Sequence, residues 1–336
     1  MNEQSIDSNL LDLDKLDAWL VNEQLKPAGQ LQAEQLTAGR SNEMFVLGFN
    51  DVDGTPVEWI LRRPSGVAWE KAEKVLRREF TLLNALSPLD VATPKTIAQC
   101  NDKSVIGAAF YLMQKVEGFI PAMGGFPDAF KATPELQRQC GLAGMEAIAA
   151  IHRVDWRAAG LGDYGKPDGF HERQVGRWTA QYESYGGREL PGLARIGQWL
   201  EKNLPVHWTP TIMHGDYHAL NILMANDLPP RISAIVDWET STIGDPFLDV
   251  VGFLDIWYDA NSDIESPDYD TMVDHYLSRV DFEPENFTYY RLLFYFRHSV
   301  LFEGIYQRSL QDDTREDRVE MAEHVDRLIE RAEALL

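Results

Sequence analysis

The chain has 336 residues, of which 44% are hydrophobic and 25% are charged, a composition typical of a globular protein of about two domains. Its formal net charge of −22 argues against a partner held through nucleic-acid phosphates. Two cysteines, Cys100 and Cys140, are too few for a disulfide framework, and no Cys/His spacing resembles a zinc site.

The amino-terminal stretch is acidic and lacks a basic segment followed by an apolar run, which argues against a secretory signal. No apolar stretch approaches the ~18 residues that a membrane span needs. We therefore expect a cytoplasmic protein with no membrane partner. The first predicted element is a short amphipathic helix in "DLDKLDAWLVNEQL", with Asp residues near its start, where the helix dipole favours them.

The next hundred residues are mainly β in pattern. Two apolar runs on either side of Asp51-Val52-Asp53-Gly54 predict a hairpin, and "PKTIAQCND" and "GAAFYLMQKVEGF" predict two more strands around a turn at Asn101-Asp102. Between these strand pairs, "AWEKAEKVLRREFTLLNALSP" predicts a helix with one apolar stripe. The stripe consists of Val75, Leu76, Phe80, Leu83 and Leu86.

From about residue 134 the pattern is mainly helical, in "PELQRQCGLAGMEAIAAIHRVDW", "HERQVGRWTAQYESY" and "LARIGQWLEKNL". Two short strands, "NILMA" and "ISAIVDW", interrupt it before helices resume. This order predicts an α+β protein with a small β-rich lobe at residues 1–115 and a larger, mostly helical lobe at 116–336. A cleft between two such lobes is a typical ligand site.

The candidate catalytic residues lie between residues 211 and 250, in "TIMHGDYHALNILMANDLPPRISAIVDWETSTIGDPFLDV". Gly215 breaks any helix, so Asp216 is expected on a loop, where its carboxylate could accept a hydroxyl proton. Asn221 opens the next strand and Asp237 ends the one after it, and both offer oxygen ligands to a hard cation such as Mg²⁺. One base and two magnesium ligands are the minimal set for phosphoryl transfer.

"HGDYHALN", followed by "IVDW" and "GDPFLDV", resembles the motif of the aminoglycoside phosphotransferase family, whose members have the fold of the eukaryotic protein kinases. The resemblance implies that Asp216 is the catalytic base and that Asn221 and Asp237 bind magnesium. It also implies that His214 and Asp249 brace the loops. The expected phosphate donor is ATP or GTP.

The resemblance extends into the first lobe. "LTAGRSNEMF" is similar to the turn that covers the nucleotide, "EWILRRP" stands where a kinase has its phosphate-binding lysine, and "YLMQKVEG" stands at the adenine-binding hinge. The glutamate partner of the phosphate-binding cation is expected in "LRREFTLL". The nucleotide-binding residues that this implies are Gly39, Ser41, Asn42, Arg62, Glu79, Gln114 and Val116.

Four departures from protein kinases are visible. Arg62 replaces the lysine, and arginine keeps the charge but changes the geometry of phosphate contact. The covering loop lacks G-x-G-x-x-G. The chain also has no A-P-E segment, and that absence argues against a protein kinase. His218 lies two places after the proposed base, where kinases have a lysine and close relatives an arginine that contacts the transferring phosphate.

Longer segments, among them "GAAFYLMQKVEG", "AIHRVDW" and "GLGDYGKPDGFHERQVGRW", resemble the kinase domains fused to acyl-CoA dehydrogenases. That resemblance implies a hydroxyacyl-CoA or hydroxy acid as the acceptor of the phosphate. Arg173 and Arg177 lie one helical turn apart, so both could meet an anionic acceptor, or else serve only packing and solvation.

Three alternatives stay open. The acidic second lobe would suit an aminoglycoside as acceptor. A nucleotide-binding pseudokinase would regulate a partner, although Asp216, Asn221 and Asp237 are all present. A metal-dependent hydrolase could use His214, Asp216 and His218 with a transition metal. His152, within "AIAAIHRVDW", is expected to be a packed helix histidine.

Overall fold

A five-stranded antiparallel sheet organises the first of two compact units. The computed structural model describes residues 11–27, 29–36, 42–65, 69–310 and 318–336. The unit is drawn from Met1–Ile120, Ala159–Leu161 and Asn221–Glu239. The strands are β1 (Gln32–Leu36), β2 (Asn42–Asn50), β3 (Pro56–Pro64), β4 (Thr96–Cys100) and β5 (Phe110–Gln114). They are ordered β1-β2-β3-β5-β4, so the hairpin β2–β3 lies in the middle of the sheet.

The predicted hairpin at residues 51–54 is present. Gly54 has a φ of 77°, a backbone conformation that glycine adopts without strain, and its N–H donates to the Asp51 carbonyl at 2.9 Å. Behind the turn, Phe45 of β2 lies opposite Leu61 of β3, and both side chains are fully buried in the core of this unit.

The described part of this unit also contains helices and a second hairpin: α1 (Leu13–Asn22), α2 (Trp69–Leu86), α3 (Lys103–Ile106), β7 (Ile222–Met224) and β8 (Ile232–Ile235). In α2 the predicted stripe is buried at Leu76, Leu83 and Leu86. The turn predicted at Asn101-Asp102 is instead the start of α3, because the Asp102 carboxylate accepts the Ser104 N–H at 2.8 Å and caps a helix of one turn.

The second unit is mostly helical and is drawn from Pro121–Ala158, Gly162–Leu220 and Thr240–Leu336. Its short strands β6 (Thr211–Met213) and β9 (Thr242–Gly244) pair antiparallel. Its helices are α4 (Asp128–Lys131), α5 (Pro134–His152), α6 (Gln174–Ser184), α7 (Pro191–Lys202), α8 (Phe247–Ala260), α9 (Tyr269–Leu277), α10 (Phe287–Ser309) and α11 (Arg318–Glu333). The predicted helices in "PELQ…", "HERQ…" and "LARI…" correspond to α5, α6 and α7.

Close helix packing around α8 fixes the second unit. A Cβ at Gly144 of α5 would lie 2.3 Å from the ring of Phe253 in α8, so only glycine permits this approach. Helix α10 is buried over most of its length, as expected for a helix that neighbours cover on several sides. The predicted α+β class, with a β-rich first unit and a mostly helical second unit, is confirmed. None of the helices among the described residues is long and apolar enough to cross a membrane.

Candidate active site

The loop that follows β6 carries the proposed base. Gly215 has a φ of 85°, and a Cβ there would lie 2.7 Å from the Thr240 carbonyl oxygen. Both constraints require glycine at the centre of His214-Gly215-Asp216. The fully buried His214 accepts the Asp216 N–H through Nδ1 at 3.3 Å, and the Thr240 hydroxyl donates to the His214 carbonyl at 3.0 Å.

Asp249, in the first turn of α8, holds this loop by its backbone. Its Oδ2 accepts the His214 N–H at 2.6 Å and its Oδ1 accepts the Gly215 N–H at 2.8 Å. Its carboxylate is also 3.3 Å from His152 Nε2, and His152 Nδ1 is 2.7 Å from the Tyr276 hydroxyl. Because these side chains are buried, the chain of hydrogen bonds fixes the peptides on either side of His214.

The Asp216 carboxylate is partly accessible, with 40% of the side chain exposed. His218 Nε2 lies 3.4 Å from its Oδ2. Burial alone would raise the pKa of Asp216, but the hydrogen bond and charge of His218, with the fields of His298 and His214, hold that pKa well below its usual range. Asp216 is therefore a carboxylate at neutral pH and able to accept a hydrogen bond.

Two side chains of α10 act on the same loop, Arg297 by a hydrogen bond and His298 by its effect on the pKa of Asp216. The Arg297 guanidinium donates to the Gly215 carbonyl at 3.2 Å. The next residue, His298, is buried, and its Nδ1 is 2.9 Å from the Phe294 carbonyl oxygen. Burial and the adjacent Arg297 charge lower the pKa of His298 to about 4, so its ring is neutral at physiological pH.

In the first unit, the guanidinium of Arg62 lies close to three carboxylates. Arg62 Nε lies 3.0 Å from Glu79, its Nη2 lies 3.0 Å from Asp237, and the same nitrogen lies 3.7 Å from Glu239. Burial would lower the pKa of Arg62, but the charges of Glu79 and Asp237 outweigh it and raise that pKa. Burial raises the pKa of Glu79, which Arg62 opposes.

The hairpin β7–β8 brings Asn221 and Asp237 to one end. Ile222 pairs with Ile235, and the Val236 N–H donates to the Asn221 carbonyl at 2.9 Å. Asp237 has a φ of 65°, which is uncommon outside glycine and occurs preferentially at functional sites.

The remaining nucleotide-binding predictions fall in different places. Asn42 Nδ2 donates to Glu239 at 3.4 Å, while Gly39 and Ser41 lie outside the described residues. Gln114 ends β5, and its N–H donates to the Lys95 carbonyl at 2.8 Å. Among the residues that the structure describes, the half-buried Val116 forms no hydrogen bond with its backbone N–H.

The two predicted acceptor arginines have different surroundings in the second unit. The Arg173 guanidinium donates to the carbonyls of Lys166 and Asp168. These hydrogen bonds hold the loop that precedes Arg173. Arg177 is exposed and lies over the Trp178 ring, with its guanidinium carbon 5.2 Å from the ring centroid.

Sequence reasoning missed Tyr276, Arg297 and His298, and it assigned His152 to packing without its link to Asp249. Arg297 and His298 had a visible signal, because they interrupt the apolar run "LLFYFRHSVLF". A charged residue in such a run has to find a polar partner or a function. No local spacing marks Tyr276, which lies 124 residues beyond His152.

Comparison with known proteins gives a family and a set of relatives. A profile of the phosphotransferase enzyme family matches residues 32–285. Acyl-CoA dehydrogenase family member 11 of Homo sapiens is 31% identical over 323 residues, which is 89% of this chain and 40% of the human protein. The Gallus gallus protein of the same name is 29% identical over 85% of this chain and 38% of its own length. The chain thus spans about two fifths of these relatives.

Solved structures agree on the architecture. A protein from Ralstonia eutropha, provisionally assigned as an aminoglycoside phosphotransferase, is 28% identical and has a TM-score of 0.82, with 96% of this chain and 97% of that chain covered. The GDP and kanamycin complex of APH(2")-IIIa is 17% identical, with a TM-score of 0.63 over 95% of this chain and 98% of that chain. These similarities confirm the predicted kinase-like fold.

Proposed function

This chain belongs to the phosphotransferase enzyme family and is an enzyme that phosphorylates a hydroxyl group, and we propose that its acceptor is a hydroxyacyl-CoA or a related hydroxy acid. The observation that carries the catalytic part of the proposal is the loop at residues 214–216, where Asp249 fixes the backbone and Asp216 keeps an ionised, partly exposed carboxylate. A nucleoside triphosphate is the donor in this family, and ATP is the donor that we propose for this chain.

In the proposed reaction, Asp216 accepts a hydrogen bond from the acceptor hydroxyl and aligns its oxygen with the γ-phosphorus. The oxygen–phosphorus bond forms as the bond from the γ-phosphorus to the β,γ-bridging oxygen breaks, and the hydroxyl proton passes to Asp216. The low pKa of Asp216 makes it a weak base, so its main contribution is to orient the acceptor hydroxyl. It takes the hydroxyl proton late in the transfer, when that proton has become acidic.

The residues around Arg62 fit a magnesium ion. Arg62 faces Glu79, Asp237 and Glu239, so the three carboxylates exceed the single guanidinium charge. The described residues contain no group of three or more His, Cys, Asp or Glu that could hold a metal, but Mg²⁺ usually takes only one or two protein carboxylates together with substrate phosphates. Asp237 and Asn221 would hold this ion, which neutralises phosphate charge when bound.

Arg62 is proposed to contact the inner phosphates, as its position in β3 implies. Glu79 holds the guanidinium through Nε and also accepts the Trp238 N–H at 3.3 Å. Glu79 therefore positions both the cation and the loop that carries Asp237. The half-buried amide of Val116 and the carbonyl of Gln114 are proposed to bind the base of the nucleotide.

The acceptor proposal rests on the similarity to acyl-CoA dehydrogenase family members and on the arginines of the second unit. A second candidate acceptor is an aminoglycoside. The net charge of −22 favours a cationic substrate, and the Ralstonia eutropha relative carries that provisional assignment. We also propose a cytoplasmic location, because both cysteines are free and buried.

The test is ADP release by the purified protein with ATP and Mg²⁺ against two acceptor pools, hydroxy acids with their CoA thioesters, and aminoglycosides. Asp216→Asn serves as the inactive control. We expect turnover with the first pool alone, and mass spectrometry should find one added phosphoryl group on the acceptor. Turnover with aminoglycosides alone would contradict the acceptor proposal and leave the phosphotransferase assignment in place.

A further inference from the structure

Arg297 is a buried arginine beside the loop at residues 214–216, and among the residues that the structure describes it has no anionic partner. We propose that Arg297, assisted by Arg177, binds a carboxylate of the acceptor and so selects hydroxy acids whose acid group lies a few bonds from the reacting hydroxyl. This inference rests on the proposed function, because it takes the loop at residues 214–216 as the place where the hydroxyl reacts.

The surroundings of Arg297 carry the argument. Only 8% of the residue is exposed, and toward the described part of the chain its guanidinium donates one hydrogen bond, to the Gly215 carbonyl. Within the described ranges it forms no ion pair, and its Nε has no hydrogen-bond partner. A guanidinium cannot discharge by losing a proton, so burial without a counter-charge is costly. Burial accordingly lowers the pKa of Arg297.

The carboxylates around Arg297 do not satisfy it. Both oxygens of Asp249 accept backbone N–H groups, from Gly215 and from His214. Asp216 pairs with His218. These two acids act on Arg297 through their charge, which opposes the lowering of its pKa by burial. An oxyanion brought by a substrate would supply both the missing charge and an acceptor for Nε.

A second guanidinium adjoins the first through Trp178. The guanidinium carbons of Arg177 and Arg297 lie 5.2 and 5.3 Å from the centroid of this ring. Trp178 is buried and its Nε1 donates to Gln174, so the ring is a fixed support for both arginines. Arg177 further lowers the pKa of Arg297, as expected for two neighbouring like charges.

The position of Arg297 defines which anion it can bind. Its guanidinium contacts the carbonyl of the residue that immediately precedes Asp216, and adjacent Cα atoms are about 3.8 Å apart. An anion on Arg297 and a hydroxyl on Asp216 therefore belong to one small molecule, with few bonds between them. The phosphates of coenzyme A are too far from an acyl-chain hydroxyl to meet this condition.

The experiment measures binding of short linear hydroxy acids, with the hydroxyl at successive positions, and of their primary amides. Isothermal titration calorimetry without nucleotide compares the wild type with Arg297→Gln and Arg297→Lys. We expect the wild type to bind at least one acid about tenfold more tightly than its amide, in line with a charge-assisted pair. Arg297→Gln should remove this preference, and Arg297→Lys should reduce it.

Arg177→Gln should weaken binding of the acid by about twofold to fivefold, because an exposed charge is screened. Its matched control is Arg157→Gln, which removes an exposed arginine that also lies over a tryptophan, Trp156, and should leave the affinity unchanged. If Arg297→Gln fails to fold, Arg297→Lys and Arg177→Gln still test the site.

Two results would overturn the inference. In the first, the wild type binds no acid more tightly than its amide. In the second, Arg297→Gln lowers phosphorylation of acid and amide equally while the binding preference persists, which would assign Arg297 to the transferring phosphate. A binding preference without any phosphorylation of the acids supports the anion site and contradicts the hydroxy-acid acceptor, so the two proposals fail separately.

Discussion

Asp249→Asn should destabilise the protein and displace the loop at residues 214–216, which carries the proposed base. Asp249 is 1% exposed and accepts the backbone N–H groups of His214 and Gly215 at 2.6 and 2.8 Å. An asparagine has one acceptor oxygen, so its amide nitrogen would face a backbone N–H, and His152 would lose an anionic neighbour at 3.3 Å.

The expected loss in the free energy of unfolding follows from these contacts. Losing one charge-assisted hydrogen bond costs about 1.5–3 kcal/mol, and leaving one buried N–H without an acceptor costs about 1–3 kcal/mol. We expect a loss of about 3–5 kcal/mol in the free energy of unfolding, since neighbouring terms overlap. At about 2–4 °C per kcal/mol, the Tm should fall by roughly 6–20 °C. Displacing the base by about 1 Å should also lower kcat about 100-fold below the transition.

The assay is thermal unfolding by circular dichroism, with ADP release measured well below the Tm. Asp274→Asn, an exposed residue of α9 in the same unit, is the matched control and should change stability by less than about 0.5 kcal/mol. An Asp249→Asn protein with the same Tm as the wild type would show that the two backbone hydrogen bonds do not hold the loop.

Three further outcomes are expected. Asp237→Asn should weaken magnesium-dependent nucleotide binding at least about tenfold in calorimetry, and an unchanged affinity would remove Asp237 from the proposed metal site. Arg62→Gln should lower the free energy of unfolding by about 3–5 kcal/mol. The loss should be larger at pH 8 than at pH 6 in urea titrations. Burial raises the pKa of Glu79 to about 7 although Arg62 opposes the rise, so without Arg62 the folded protein would retain the Glu79 proton to a higher pH, where the unfolded chain has lost it. Between pH 6.5 and about 4 the unfolded chain binds a proton at His298 that the folded protein does not. The free energy of unfolding should therefore decrease by up to about 1.4 kcal/mol for each pH unit as the pH is lowered. His298→Gln should remove that part of the slope, and a slope unchanged by the substitution would contradict the buried neutral ring.

Local patterns in the sequence account for the elements that were predicted correctly. The hairpin at residues 51–54 has a glycine at the turn, and α2 has an apolar stripe over five turns. By contrast, β6 and β9 have three residues each, too few for an alternating pattern, and each requires the other as its partner. Helix α3 was missed because Asp102 caps a single turn, which resembles a loop in sequence.

In the candidate site, too, some residues could be predicted from local sequence patterns and others could not. Asp216, Asn221 and Asp237 lie within 22 residues of one another, so their spacing carries the motif. The Arg62–Glu79 contact was expected from the resemblance and has the geometry of a buried ion pair, while the role of both residues toward a nucleotide stays a prediction. Arg297, Trp178 and Tyr276 come from helices distant in sequence, and only tertiary packing brings them to the loop or its braces.

Asp216 is proposed to serve as the base of a phosphotransferase. The most direct measurement is kcat for ADP release by Asp216→Asn, with nucleotide affinity measured in parallel and Asp163→Asn, an exposed acid of the same unit, as the matched control. We expect kcat to fall by about 10²–10⁴ while the nucleotide Kd stays within about twofold of the wild type. An Asp216→Asn protein that keeps wild-type turnover would contradict the assignment.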